Sequence, residues 1–146
     1  MNNNIGFTGS RDGMTKEQKQ KFTTLVKSLK IKNFHHGDCI GSDEEAHNII
    51  NDITKNKKNH IHIVIHPPKY KKYRAYCKGD MSVKPDDYLT RNRDIVNSVE
   101  ILIATPTGIE KLRSGTWSTI RYAKRNNKII YIILPSGKIK MENIKW

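Results

Sequence analysis

The run Gly6-Phe7-Thr8-Gly9-Ser10-Arg11 sets a hydroxyl, a bare glycine, a second hydroxyl and a guanidinium one after another. A turn of this kind brings backbone N–H groups close to an anion, and arginine adds a planar fork that matches phosphate. Thr8, Gly9, Ser10 and Arg11 are therefore candidate ligand contacts. A second stretch, His35-His36-Gly37-Asp38-Cys39-Ile40-Gly41-Ser42-Asp43, puts two glycines and two carboxylates before a helix start. It suits a loop that cradles the ribose or phosphate of a nucleotide, through Gly37, Asp38, Gly41 and Asp43. A third, Arg91-Asn92-Arg93, carries two forks that cannot share one helical face, so they serve different partners. The fourth, Ser114-Gly115-Thr116, opens a helix after a strand and a loop, where free N–H groups and the helix dipole favour an anion.

Other chemistries find little support. No Ser-His-Asp order, phosphate-loop lysine or His-Glu-x-x-His pattern is present, and no residue is assigned as catalytic. His35, His36, Asp38, Cys39 and His47 match no familiar metal-ligand spacing, so no metal and no cofactor are expected. Trp117 reads as core filling.

The charge balance agrees with an anionic partner. There are 27 basic and 14 acidic residues among 146, a formal net charge of +13. Lysine, asparagine and isoleucine make up 53 of the 146 residues, so part of the lysine excess reflects AT-rich codons. The seven arginines say more, because a lysine-rich chain holds arginine where the fork matters. No apolar run reaches the ~18 residues that span a bilayer, and no secretory signal is visible. With Cys39 and Cys77 as its only cysteines, the chain reads as a cytoplasmic protein with reduced thiols.

Strands and helices alternate around these stretches. Strands are expected at 5–8, 33–37, 60–65, 100–105 and 128–134, and helices at 15–29, 42–56 and 115–126, with a further short helix around 89–96. Thr15 and Gln18 form a capping-box pattern. The alternation implies one α/β domain over 1–146, a parallel sheet covered on both faces. Ligands bind such sheets at the carboxyl ends of the strands, where all four stretches fall. Residues 66–88, rich in Lys, Tyr and Pro, are too long for an ordinary connection and are expected to form either a lid over the ligand or a disordered loop.

The four stretches together resemble the SLOG superfamily of Rossmann-like nucleotide binders, closest to the Rossmann domain of the DNA-processing protein A (Smf) family. The similar motifs are Gly9-Ser10-Arg11, Gly41-Ser42-Asp43-Glu44-Glu45-Ala46-His47, Arg91-Asn92-Arg93 and Ser114-Gly115, within residues 5–137. The resemblance implies a Rossmann-like three-layer domain with a parallel five-stranded sheet in order 3-2-1-4-5. It also implies a nucleotide-type pocket and a homodimer or higher homo-oligomer. The phosphoribohydrolases of that superfamily use a glutamate three residues after a Gly-Thr pair; here the pair is Gly115-Thr116 and the position holds Thr119. The expected function is thus binding of a nucleotide or nucleotide-derived signal, as a sensor or sequestering protein. The alternatives are a nucleotide N-glycosidase using Asp38, Asp43 or Glu110, and a single-stranded nucleic-acid binder using Tyr70 and Tyr73.

Overall fold

The computed structural model describes residues 3–55 and 60–143. In chain order the elements are β1 (Asn4–Gly9), α1 (Lys16–Ser28), β2 (Asn33–His36), α2 (Ser42–Lys55), β3 (His62–Ile65), β4 (Met81–Ser82), α3 (Tyr88–Asn97), β5 (Ile101–Thr105), α4 (Gly115–Arg125), β6 (Ile129–Ile133) and β7 (Ile139–Glu142). Asn56, the expected end of the second helix, lies outside the described residues.

Alternation on the strands builds two cores, one on each face of the sheet. Ile5, Phe7, Ile101 and Ile103 pack with Phe22 and Val26 of α1 and Ile50 of α2. Leu102, Ala104, Ile130 and Ile132 point the other way, onto Val96 of α3 and Trp117 and Ile120 of α4. Phe7, Phe22 and Phe34 meet with ring centroids 5.3 to 6.1 Å apart, an edge-and-tilt cluster that locks α1 to β1 and β2. The Thr15 capping box forms: Thr15 Oγ1 accepts from the Gln18 amide, and the Gln18 side chain accepts from the Thr15 amide. The Gln18 side-chain amide also donates to the carbonyls of Pro106 and Ile133, both at 2.8 Å, so the start of α1 is tied to the ends of β5 and β6.

The sheet has seven strands in the order β4-β3-β2-β1-β5-β6-β7. All neighbours are parallel except β6 and β7. This corrects the five-strand expectation at both edges. The five expected strands form the centre in the expected order, and β4 and β7 are added outside them. Both extra strands are short and exposed, and β7 carries Lys140 and Glu142, so neither has the apolar run that marks a buried strand. The chain runs outward from β1 through β2 to β4, then restarts beside β1 at β5 and runs the other way. Between β1 and β5 the connections diverge and leave a crevice at the carboxyl ends.

The 66–88 segment is bonded to the sheet along its length. Ile40 donates to the Tyr73 carbonyl, Ala75 to Asp38, Asp80 to Ile63 and Val83 to Ile65, all within 2.8 to 2.9 Å. It contains β4 and a 3₁₀ turn at Lys71–Tyr73 and forms a wall beside the crevice. No helix among the described residues is long and apolar enough to cross a membrane.

Candidate functional site

The crevice holds a cleft of about 390 Å³, with Phe7 and Ile95 at its apolar floor. Its first wall is the loop after β1. Gly9 sits so close to its neighbours that a β-carbon there would lie 2.5 Å from both Ser42 Cβ and Thr105 Oγ1. Beyond it the chain turns tightly: the Ser10 carbonyl accepts from Gly13 at 3.2 Å and from Ser42 at 3.0 Å, and Ser10 Oγ accepts from the Asp12 amide at 3.0 Å. Gly41 has φ +91°, and a β-carbon there would collide with the Arg11 carbonyl, so this loop and the start of α2 nest backbone to backbone. With its carbonyls turned inward, the loop leaves the Ser10 and Arg11 amides without a hydrogen bond among the described residues.

The second wall is the start of α4. Ser114 caps the helix by accepting from the Trp117 amide at 3.2 Å. Next to it the Gly115 and Thr116 amides have no hydrogen bond among the described residues, at the positive end of the helix dipole. Space opens above Gly115, where an added β-carbon would meet nothing within 4 Å.

Arg11 reaches into the cleft from an aromatic seat. Its guanidinium carbon lies 4.0 Å from the centre of the Tyr73 ring and 5.5 Å from that of Tyr88. Tyr88 in turn stacks on Tyr70 at 5.8 Å and 17°. Among the described residues no carboxylate pairs with Arg11. A guanidinium held by ring faces keeps its in-plane donors for an anion.

Arg91 has a different environment. It is buried, and its Nη1 donates to the carbonyls of Gly37 and His66, the latter at 3.2 Å. Its Nε donates to Asn92 Oδ1 at 2.8 Å, and both Nη atoms touch Cys39 Sγ at 3.7 Å. Asp43 flanks the same Gly37, is buried, and accepts from the Cys39 amide at 3.2 Å. Burial pushes the Asp43 carboxyl up to about 6, with the Arg91 charge opposing the rise. Burial also raises the Cys39 thiol. Arg91 therefore clamps the floor of the cleft more than it offers donors to a visitor.

Of the residues singled out in the sequence, Thr8, Gly9, Ser10, Arg11, Gly37, Asp43, Arg91, Asn92, Ser114, Gly115 and Thr116 line this one cleft. Asp38 and Arg93 do not. Asp38 is wholly buried behind it, paired with Arg74 Nε at 2.9 Å and accepting from the Cys77 amide at 2.8 Å. Arg93 lies over the Tyr122 ring, 5.0 Å from its centre, on the outer face of α3. Gly41 supports the Arg11 backbone from below. Of the three carboxylates suggested for an enzyme, only Asp43 lines the cleft; Glu110 pairs with Arg121 at 2.9 Å outside it. Thr119 Oγ1 donates to the Gly115 carbonyl at 2.9 Å, and Trp117 is core.

Tyr88 and Cys39 also line the cleft and Tyr73 seats Arg11, places that the sequence alone did not assign to them. The interleaving of Lys and Tyr at 69–73 was the available signal for an aromatic seat, but Tyr73 and Arg11 are joined only by the fold. The sequence also did not foresee the meeting of His36, His47 and Cys77, whose ligand atoms lie within 4.8 Å of one another. Bonding there opposes a metal. His36 Nδ1 accepts from the Asp38 amide at 3.0 Å, so its proton is on Nε2, shared with His47 Nδ1 at 2.9 Å. Burial and the nearby Asp38 charge push the Cys77 thiol up to about 12.

No family model matches the chain, and no curated protein matches it. Among the solved structures that share its architecture are two of different origin. The X-ray structure of TM1055 superposes with a TM-score of 0.60 at 15% identity, over 87% of this chain and 71% of that one. The molybdenum cofactor binding protein of the phototrophic bacterium Rippkaea orientalis superposes with a TM-score of 0.67 at 18% identity, over 92% of this chain and 77% of that one. At such identities the likeness is one of fold, and the fold is a Rossmann-like α/β domain.

Proposed function

We propose that the chain binds a nucleotide or nucleotide-derived small molecule in the cleft between β1 and β5. Phosphate would lie on the amides of Ser10, Arg11, Gly115 and Thr116 and on the Arg11 guanidinium. The observation that carries this reading is that four residues with unpartnered amides, one of them also a cation without a carboxylate, line a single cleft of about 390 Å³. That volume falls within the ~300–1,000 Å³ of ordinary small-molecule sites. Asp43 retains acceptor capacity for a ribose hydroxyl. That one fold neighbour is a cofactor binding protein supports the use of this fold for small molecules.

The role is that of a sensor or a sequestering protein. It acts in the cytoplasm and, on the resemblance to the SLOG superfamily, as a homo-oligomer. The test is a mass spectrum of small molecules released when the purified protein is denatured by heat, with calorimetry against the nucleoside 5′-monophosphates. A released nucleotide, or binding of a monophosphate that returns intact after incubation, supports the reading. Protein that carries nothing and binds no monophosphate refutes it. Free base appearing at enzymatic rates would replace it with the glycosidase alternative.

A further inference from the structure

A shallow groove lies between α3 and α4. It is lined by Asn92 and Arg93 of α3 and by Ser118, Tyr122 and Arg125 of α4. The guanidinium carbons of Arg93 and Arg125 lie 5.0 and 6.0 Å from the centre of the one Tyr122 ring. Tyr122 is held in place because its hydroxyl donates to Asn97 Oδ1 at 3.0 Å. Neither arginine pairs with a carboxylate among the described residues, and no carboxylate lines the groove. Arg74 and Arg121, by contrast, each have one. Two cations brought to one ring repel each other, and an anion between them relieves that repulsion. Asn92 lines both the groove and the cleft, so the two adjoin at this residue.

The geometry points to a second anion subsite at Arg93, Tyr122 and Arg125, taking a phosphate on an arm of the molecule whose first unit occupies the cleft. This rests on the reading of the cleft as a nucleotide site. It narrows the ligand class to nucleotides with a further phosphate-bearing arm. Nucleoside 3′,5′-bisphosphates and dinucleotides joined by a pyrophosphate both have that chemistry. The arrangement also gives Arg91-Asn92-Arg93 one function: Arg91 holds the cleft floor, Asn92 stands where groove and cleft adjoin and Arg93 serves the outer phosphate.

The experiment compares three probe sets by calorimetry: nucleoside 5′-monophosphates, their 3′,5′-bisphosphates, and pyrophosphate-linked dinucleotides. Each is run on the wild type and on the double variant Arg93→Ala/Arg125→Ala. At least one of the two longer classes binds the wild type about tenfold more tightly than the monophosphate, and the class that gains names the source of the phosphate. The double variant loses that gain and keeps monophosphate affinity within about twofold. In parallel, inorganic phosphate shifts the backbone amide resonances of Leu89 and Ser118 in the wild type and not in the variant. Monophosphate binding with no gain for either longer class, or a gain that the variant retains, overturns the subsite and leaves the cleft reading intact. Failure of every probe to bind overturns both.

Discussion

Replacing Arg91 by alanine tests whether this residue is a clamp or a ligand arm. The substitution removes the donors to two carbonyls, Gly37 and His66, and takes away the cation beside Asp43. Arg91 makes no direct ion pair with Asp43, but its charge favours the buried carboxylate, and losing it adds to the cost of the two orphaned carbonyls. Orphaning a buried acceptor costs about 1–3 kcal/mol, but the losses overlap, so about 3–5 kcal/mol is the expected total. Against a stability of about 5–15 kcal/mol the variant stays folded. With a urea m-value of about 1–3 kcal/mol/M, the midpoint falls by about 2 M. The deficit depends on pH with a definite sign. Burial raises Asp43 from the ordinary 3.8 to about 6, so between those values the native state holds more protons and stability falls as pH rises. Without Arg91 the carboxyl rises further and the window extends upward. The variant's deficit is therefore smaller at pH 5 than at pH 8, and adding Asp43→Asn restores about 1–3 kcal/mol at pH 8. Urea melts of wild type, both single variants and the double variant at both pH values measure this. A deficit below about 1 kcal/mol, or one equal at pH 5 and pH 8, refutes the clamp.

Two further outcomes follow from the same loops. Gly9→Ala places a β-carbon 2.5 Å from Ser42 Cβ and Thr105 Oγ1, an overpacking worth about 1–3 kcal/mol, and a thermal melt equal to that of wild type would contradict the geometry. Burial lowers the pKa of His35, His36 and His47 and takes His66 from 6.5 to about 4, so the unfolded chain binds protons first as pH falls below about 6.5. Stability drops from about pH 6.5 toward pH 4, by up to about 3 kcal/mol for His66 alone. Asp43 offsets part of this, because its raised pKa stabilises the fold as pH falls from 6 to 3.8. Calorimetric melts between pH 7 and pH 4.5 check the net sign, and an unchanged or rising midpoint toward acid refutes it.

The central sheet was legible because Ile101-Leu102-Ile103 and Ile129 to Ile133 are apolar on both faces, and Thr15 with Gln18 marks a helix start by itself. The edges were not, because β7 is built from Ile139-Lys140-Met141-Glu142, whose charged half reads as solvent-exposed loop. Residues 66–88 read as loose because their order comes from partners far away in sequence, such as Asp38 for Ala75 and Ile63 for Asp80. The site divides the same way. Gly9-Ser10-Arg11 and Ser114-Gly115-Thr116 are local turns whose chemistry is written in adjacent residues. The separation of Arg91 from Arg93 followed from helical geometry, but which one would be buried depended on Gly37 and His66. Asp38 and Asp43 look alike in sequence, yet Arg74 pairs with the first behind the cleft while the first turn of α2 holds the second at the cleft.

The arginines give the basic charge its specificity. Four of the seven, Arg11, Arg91, Arg93 and Arg125, lie on tyrosine rings, and none of the ion pairs among the described residues draws on them. Net charge and seating can be separated at Arg11. Arg11→Lys keeps the formal charge at +13, so long-range attraction and its salt dependence are unchanged. It removes the planar stack 4.0 Å from Tyr73 and the two-pronged contact to phosphate. The expected loss is about 1–2 kcal/mol of affinity, roughly five- to thirtyfold, carried mainly by faster dissociation. Tyr73→Leu removes the seat and keeps the guanidinium, so it reproduces part of the loss without changing charge. Stopped-flow binding of a nucleoside monophosphate measures both variants. If the lysine variant keeps wild-type affinity and off-rate, a point charge suffices at this position, and the cleft binds anions through its four backbone amides and general attraction alone.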